Sequence, residues 1–230
     1  MMGSPESELG RYDDEGPQHE VTLSHGYWLG ETPVTQALWV AVMGENPSHF
    51  RGERPEDLER PVEKVSWEDC QVFLERLNHR VGGLFARLPT EAEWERACRG
   101  GKMGATWVGE LSGKERAPEL DAIAWYEGNS NAQTHPVGNK AANPYGLYDM
   151  LGNVGEWCAD DASSGLREYR ARSETDPVAT GQGLQRVFRG GSWRNPAKFV
   201  RAAFRVPLSR GHRGSITGFR LAGGQASALR

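Results

Sequence analysis

The chain has 230 residues, 37% hydrophobic and 25% charged, enough apolar material for one large or two small packed domains. No stretch reaches the roughly 20 apolar residues that span a bilayer, and Met1 to Ser7 lacks the charged and apolar blocks of a secretion signal, so the sequence predicts a soluble globular protein and excludes membrane insertion. The net charge of −4 conceals an asymmetry: nine Arg and one Lys follow Asp176 with no further acid, so residues 177–230 carry +10 and residues 1–176 carry −14. That layout suits a nucleic-acid surface, arginines paired internally with the acidic part, or a binding face for anionic or varied ligands.

In chain order, residues 1–20 are polar, with the acidic run Asp13, Asp14, Glu15, and Val21 to Trp28 carries enough β-branched and aromatic residues for a first strand. Thr35 to Met43 reads as a short helix with Leu38, Trp39 and Val42 on one face. Ser66 followed by Asp69 is a capping box opening a helix from Trp67 to Arg80, with Val72, Phe73 and Leu77 at helical spacing and a stop at Gly82-Gly83. Thr90 to Glu93 is a second box, for a helix through Arg99 that ends at Gly100-Gly101. Beyond residue 102, Gly, Pro, Asn and Asp recur every few residues and apolar runs are short (Ile123 to Tyr126, Arg186 to Phe188, Gly218 to Leu221), which predicts loops and short strands. With no linker, repeat or low-complexity tract, residues 1–230 read as a single α+β domain, loop-rich, with three short helices in the first half and short antiparallel strands. The three cysteines, Cys70, Cys98 and Cys158, are far apart with no CxxC pair; they read as buried free thiols in a reducing compartment, and the cytoplasm is the expected location.

Six strings occur in order: GYWLGETPVTQALW at 26–39, RPVEKVSWEDC at 60–70, RLPTEAEWERACRGG at 87–101, YGLYDMLGNVGEW at 145–157, RVFRGGSW at 186–193 and GFRLA at 218–222. Together they resemble the formylglycine-generating-enzyme (sulfatase-modifying factor) family over residues 17–222. The resemblance implies a C-type lectin-like fold. It also implies an oxidase that holds copper between two cysteine thiolates placed between the GGSW string and GFR; soft thiolates are what select Cu(I). Here Arg194 to Thr217 contains no Cys, so the expectation is no copper and no such catalysis. In YGLYDMLGNVGEW the family binds calcium through positions that match Asp149, the carbonyls of Gly152 and Val154, and Glu156, hard oxygen ligands suited to a structural Ca²⁺. The alternative for Asp149 and Glu156 is that they cap turns and pair with the surplus arginines.

Between GGSW and GFR lies RNPAKFVRAAFRVPLSRGHRGSIT, with neither a helical nor a strand period. This frame, with the short tail Gly224 to Arg230, resembles the variable proteins of diversity-generating retroelements, in which adenine-directed changes at AAC codons exclude Lys, Glu, Gln, Met and Trp. Val206 through Thr217 contains none of these five types, an outcome of about 7% by chance when they make up about a fifth of ordinary usage; Lys198 departs from the rule. The resemblance implies a variable region at about 190–220 with Arg194, Asn195, Phe199, Phe204, Val206, Leu208, Arg210, His212, Arg213, Ser215 and Ile216 as the exposed ligand-binding set. Phe199 and Phe204 have a second reading, as core residues. Arg189, Arg201, Arg205 and Arg220 read as scaffold, paired to carboxylates such as Glu156 and Glu95. The expected function is non-enzymatic ligand binding, with a protein or glycan rather than nucleic acid as partner and the protein a monomer; the alternative is a diverged copper oxidoreductase acting on cysteine-containing peptides.

Overall fold

The structure is a computed structural model that describes residues 1–52, 54–163, 169 and 172–224; most of the tail matched to the retroelement proteins, 225–230, lies outside them. Helix α1 spans Gln36–Met43, α2 Trp67–Arg80 and α3 Glu91–Arg99. Each start follows from its cap. Thr35 Oγ1 accepts from Leu38 N at 3.2 Å, Ser66 Oγ from Asp69 N at 3.1 Å, and Thr90 Oγ1 from Glu93 N at 3.2 Å. In the last two, the carboxylate returns the bond to the cap N–H, at 2.8 Å in both cases. Gly44 and Gly100 close α1 and α3 in the left-handed region, at φ 93° and 56°. Two anticipated core residues face solvent instead: Leu38 is 36% and Val72 41% exposed, while Trp39, Val42, Phe73, Leu74 and Leu77 form the buried stripes.

The strand expected over Val21 to Trp28 is broken into β1 (Val21–Thr22) and β2 (Trp28–Leu29). Ser24, between them, gives its N–H to Asp176 Oδ1 at 2.8 Å and its hydroxyl to Oδ2, which ends any ladder there. Six further strands complete the set among the described residues: β3 (Gly155–Asp161), β4 (Glu174–Thr175), β5 (Gln185–Arg189), β6 (Arg205–Ser209), β7 (Thr217–Gly218) and β8 (Ala222–Gly223). The main sheet has the order β6-β5-β3-β7. The short antiparallel strands expected are present as β3–β5, β5–β6 and β2–β8, and two parallel pairs, β1–β4 and β3–β7, stand beside them. These parallel partners are separated by long excursions of chain, which a two-residue hairpin does not constrain.

Alternation along β3 and β5 buries both faces of the sheet. Trp157 and Phe188, partners in register, face the core built from Trp39 of α1, Phe73 and Leu77 of α2, Val62 and Phe219. Cys158 and Val187 face the other core with Trp94, Ala97 and Cys98 of α3, Tyr126 and Met150. Burying each such aromatic or aliphatic side chain contributes roughly 1.5–3 kcal/mol.

The basic segment is threaded through these cores. Arg189, Arg201 and Arg220 are fully buried and Arg205 is nearly so. Arg220 grips Glu156 with Nε to Oε2 and Nη2 to Oε1, both 2.8 Å. Arg189 Nη2 bonds Glu95, which also holds Arg99 at 2.8–2.9 Å. Arg205 Nε reaches Glu91 Oε1 at 2.7 Å, and Arg201 pairs with both Glu8 and Glu15. Arg186–Asp161, Arg210–Glu68, Arg213–Asp69 and Lys198–Glu115 add four more pairs. Internal pairing therefore accounts for most of the +10.

Candidate binding face

The segment from Gly190 to Arg220 is held mainly by its backbone. Gly190 and Gly191 turn the chain at φ 94° and 67°, and a Cβ on Gly191 would stand 2.6 Å from Phe199 O, so only glycine fits there. Further on, Trp67 N donates to Arg210 O at 2.9 Å, Arg210 N to Leu184 O at 2.8 Å, Lys64 N to Gly214 O at 3.0 Å, and Gly155 N to Ile216 O at 2.9 Å. Thr217 Oγ1 donates to Val65 O at 3.1 Å, and Trp193 Nε1 to Ser215 O at 2.9 Å. Among the eleven candidate side chains, only those of Asn195, Arg210 and Arg213 add a hydrogen bond or ion pair, to Ser192, Glu68 and Asp69, within the described residues.

None of the eleven is buried, but only Arg194, His212 and Arg213 are exposed; the other eight are half-buried, which corrects the expectation of a uniformly exposed set. The reason is β6: its residues alternate, and Val206 and Leu208 oppose Phe188 and Arg186 on β5, so Leu208 leans on the α2 core. Phe199 and Phe204 belong to neither core. They meet each other at 5.0 Å between ring centroids and share Tyr12 at 6.0 and 6.1 Å. Tyr12 is 44% exposed and extends this aromatic surface from a part of the chain that looked featureless in sequence; an aromatic residue in a polar run was the only signal.

Arg210 and Arg213 reach the start of α2, through Glu68 and Asp69, with the exposed His212 between them in the chain. Arg213 bonds Asp69 through Nε and Nη2 at 2.7 and 2.8 Å. Burial would raise the Asp69 carboxyl, but Arg213 and the Ser66 bonds hold it below its ordinary value. Arg210 also lines a cleft of about 460 Å³ with Trp67, Gln71, Ala159 and Arg186. Ser215 meets Trp193 through its carbonyl, and the Trp193 ring takes Phe50 edge-on at 5.1 Å. Asn195 Oδ1 accepts from Ser192 Oγ at 2.7 Å and its carbonyl accepts Glu127 N at 3.0 Å. The structure thus brings the candidates together in local groups.

At the calcium positions, Asp149 is 1% exposed, at φ 51°, and accepts from Gly138 N at 2.8 Å and Asn153 Nδ2 at 3.2 Å. Burial pushes its carboxyl up, against the opposing pull of the Gly138 and Asn153 bonds and the charge of Arg220. A buried carboxylate with no ion pair of its own among the described residues fits a cation. Glu156 is already engaged by Arg220 and by Trp94 Nε1 at 2.6 Å, so a calcium ion would share that carboxylate with Arg220. Among the described residues no group of three or more His, Cys, Asp or Glu is arranged to hold a metal; calcium here would rest on two carboxylates and the Gly152 and Val154 carbonyls. The three thiols are buried and free, Cys70 on α2, Cys98 on α3 and Cys158 on β3. Burial pushes Cys98 up to about 12 and the other two well above their ordinary value, so all are neutral thiols at pH 7.

A loop-rich α+β body, its sheet buried on both faces and its C-terminal arginines locked to acids from the first part, defines a formylglycine-generating-enzyme type of scaffold. The sequence profile of the sulfatase-modifying factor enzyme 1-like domain matches residues 1–224, and the chain belongs to that family. It is 36% identical to the formylglycine-generating enzyme of Streptomyces coelicolor over 67% of this chain and 50% of that enzyme. It is 32% identical to the serine/threonine-protein kinase pkn1 of Chlamydia caviae over 92% of this chain but 35% of the kinase, so it spans about half and a third of these relatives. Among solved structures, Treponema denticola variable protein 1 superposes with a TM-score of 0.79 at 36% identity, covering 96% of this chain and 91% of that one. No helix among the described residues is long and apolar enough to cross a membrane.

Proposed function

We propose that this chain is a non-enzymatic binding protein of the retroelement-diversified kind, presenting a changeable face between residues 190 and 220 to a protein or glycan ligand. The observation that carries this reading is the way main-chain bonds, rather than the candidate side chains, hold Arg210, Gly214 and Ile216 to the framework. Substituting those side chains then alters contacts without ordering new chain on binding. The likeness to Treponema denticola variable protein 1 supports it. The buried neutral thiols and the Cys-free stretch from Arg194 to Thr217 argue against the copper oxidase alternative that the enzyme relatives raise. A structural calcium ion held by Asp149, Glu156 and the carbonyls of Gly152 and Val154 belongs to the same proposal.

The test is a library randomised at Val206, His212, Arg213, Ser215 and Ile216. Members are expected to fold, as read by thermal unfolding, and to include binders to an immobilised test protein such as lysozyme that the parent does not bind. General loss of folding would overturn the reading. So would copper-dependent oxygen uptake by the parent on a cysteine peptide.

A further inference from the structure

A second surface lies outside residues 190–220, in the acidic part of the chain. On α3, Arg96 is the one residue not buried, and it lines two adjoining clefts. The larger, about 400 Å³, is walled by Tyr27, Trp28, Leu29, Tyr145 and Leu147. The smaller, about 120 Å³, is walled by Met1, Val21, Leu23, Lys102 and Met103. Trp28, Tyr145, Met1 and Met103 stay 38–53% exposed, and large apolar side chains concentrated round one concavity mark an interaction site.

The walls are preformed. The Tyr27 hydroxyl donates to Glu93 O at 3.0 Å, and the Trp28 ring lies so close on β8 that a Cβ at Gly223 would stand 2.1 Å from it. Tyr27 and Trp28 therefore have little side-chain freedom left to lose on binding. The charge is one-signed: the ionisable lining residues are basic apart from the tyrosines, and neither Arg96 nor Lys102 has an ion pair among the described residues. In the part of the chain that carries −14, two unpaired cations beside apolar clefts call for an acidic counterpart.

We propose that this face docks an acidic, apolar peptide segment of a partner protein, with carboxylates on Arg96 and Lys102 and apolar side chains in the two clefts. The concavity selects side chains that insert, as a peptide's do, over a flat bilayer surface. Because every residue involved lies outside the variable segment, the face is constant whatever residues 190–220 become. It can therefore anchor the protein to one fixed partner while the other face changes.

The probe is a fluorescein-labelled peptide about a dozen residues long, built of Leu and Glu, with a Leu and Lys counterpart, followed by fluorescence anisotropy on the whole chain. The Glu peptide should bind and the Lys peptide should not. The double variant Arg96→Glu, Lys102→Glu, at two exposed positions that leave the melting transition in place, should weaken the Glu peptide at least about tenfold and favour the Lys peptide. Tyr145→Ala should weaken the Glu peptide alone, with melting unchanged. Failure of the Glu peptide to bind, equal binding of both peptides, or indifference to the double variant would each overturn the proposal. So would binding to phosphatidylserine vesicles that the double variant abolishes while the peptide stays unbound. None of these results bears on the 190–220 face.

Discussion

Arg201→Met removes a guanidinium that is fully buried and held by Glu8, Glu15, Gly10 O at 2.8 Å and Lys198 O at 2.7 Å. Met keeps much of the volume, so the loss is electrostatic. Two carboxylates with no exposed side-chain surface remain without their cation. Burial already raises Glu8 above its ordinary value, and Arg201 opposes that rise. Removing one partner of a buried pair costs about 3–5 kcal/mol, and about 2–4 °C of melting temperature accompanies each kcal/mol at this chain length. The variant should therefore melt roughly 6–20 °C below the parent in calorimetry or circular dichroism. His212→Ala, at an exposed candidate position, should stay within about 2 °C. The deficit of Arg201→Met should shrink on acidification, because a protonated carboxyl needs no counter-charge and burial already raises Glu8. A melting temperature within about 2 °C of the parent at pH 7, or a deficit that does not narrow towards about pH 5, would refute the view that these arginines are scaffold.

Chelation with EGTA should lower the melting temperature: a calcium ion present at about 100 times its dissociation constant contributes about 2.7 kcal/mol, hence roughly 5–11 °C. Asp149→Ala should remove that sensitivity, and an unchanged transition in the parent would count against Asp149 and Glu156 as ligands. Glu63 is buried, with Oε1 accepting Phe50 N at 2.7 Å and Oε2 without a hydrogen-bond partner among the described residues, and burial pushes it up to about 7. A raised carboxyl stabilises the fold while protonated, so its contribution is present in acid and fades as pH rises through about 7. Glu63→Gln should flatten stability between about pH 4.5 and 7, with a residual slope from Asp160, also at about 7; an unaltered pH profile would contradict this. Finally, Ellman's reagent should label Cys70, Cys98 and Cys158 at the rate of unfolding, and fast labelling of the native protein would contradict their burial.

The helices were legible because their signals are local: the Ser66–Asp69 and Thr90–Glu93 boxes each need four residues, and both formed as spelled. That Arg189, Arg201, Arg205 and Arg220 pair with acids such as Glu95 and Glu156 was legible from the charge asymmetry together with the recurring strings, but which arginine takes which acid was not. Arg201 with Glu8 and Glu15, and Arg205 with Glu91, could not be assigned, since partners about 190 and 114 positions apart leave no spacing to read. The same holds for β1 with β4: two-residue strands set by Asp176 reaching Ser24 have no periodicity. Leu38 and Val72 show the limit of helical spacing, which places residues on a stripe but does not say how wide the covering core is. At the candidate face, sequence located the segment from Gly190 to Arg220. It could not show that β6 sets Leu208 against the α2 core, or that Tyr12 joins Phe199 and Phe204.

The most direct measurement is the DNA sequence beside the coding region. A near-copy of the codons for residues 190–220, with adenines wherever the two differ, next to a reverse-transcriptase gene, is what a diversified face on a fixed scaffold predicts. Sequence without such a copy, or differences that fall on Arg189, Arg201, Arg205 and Arg220 as often as on Val206, His212 and Ser215, would contradict it.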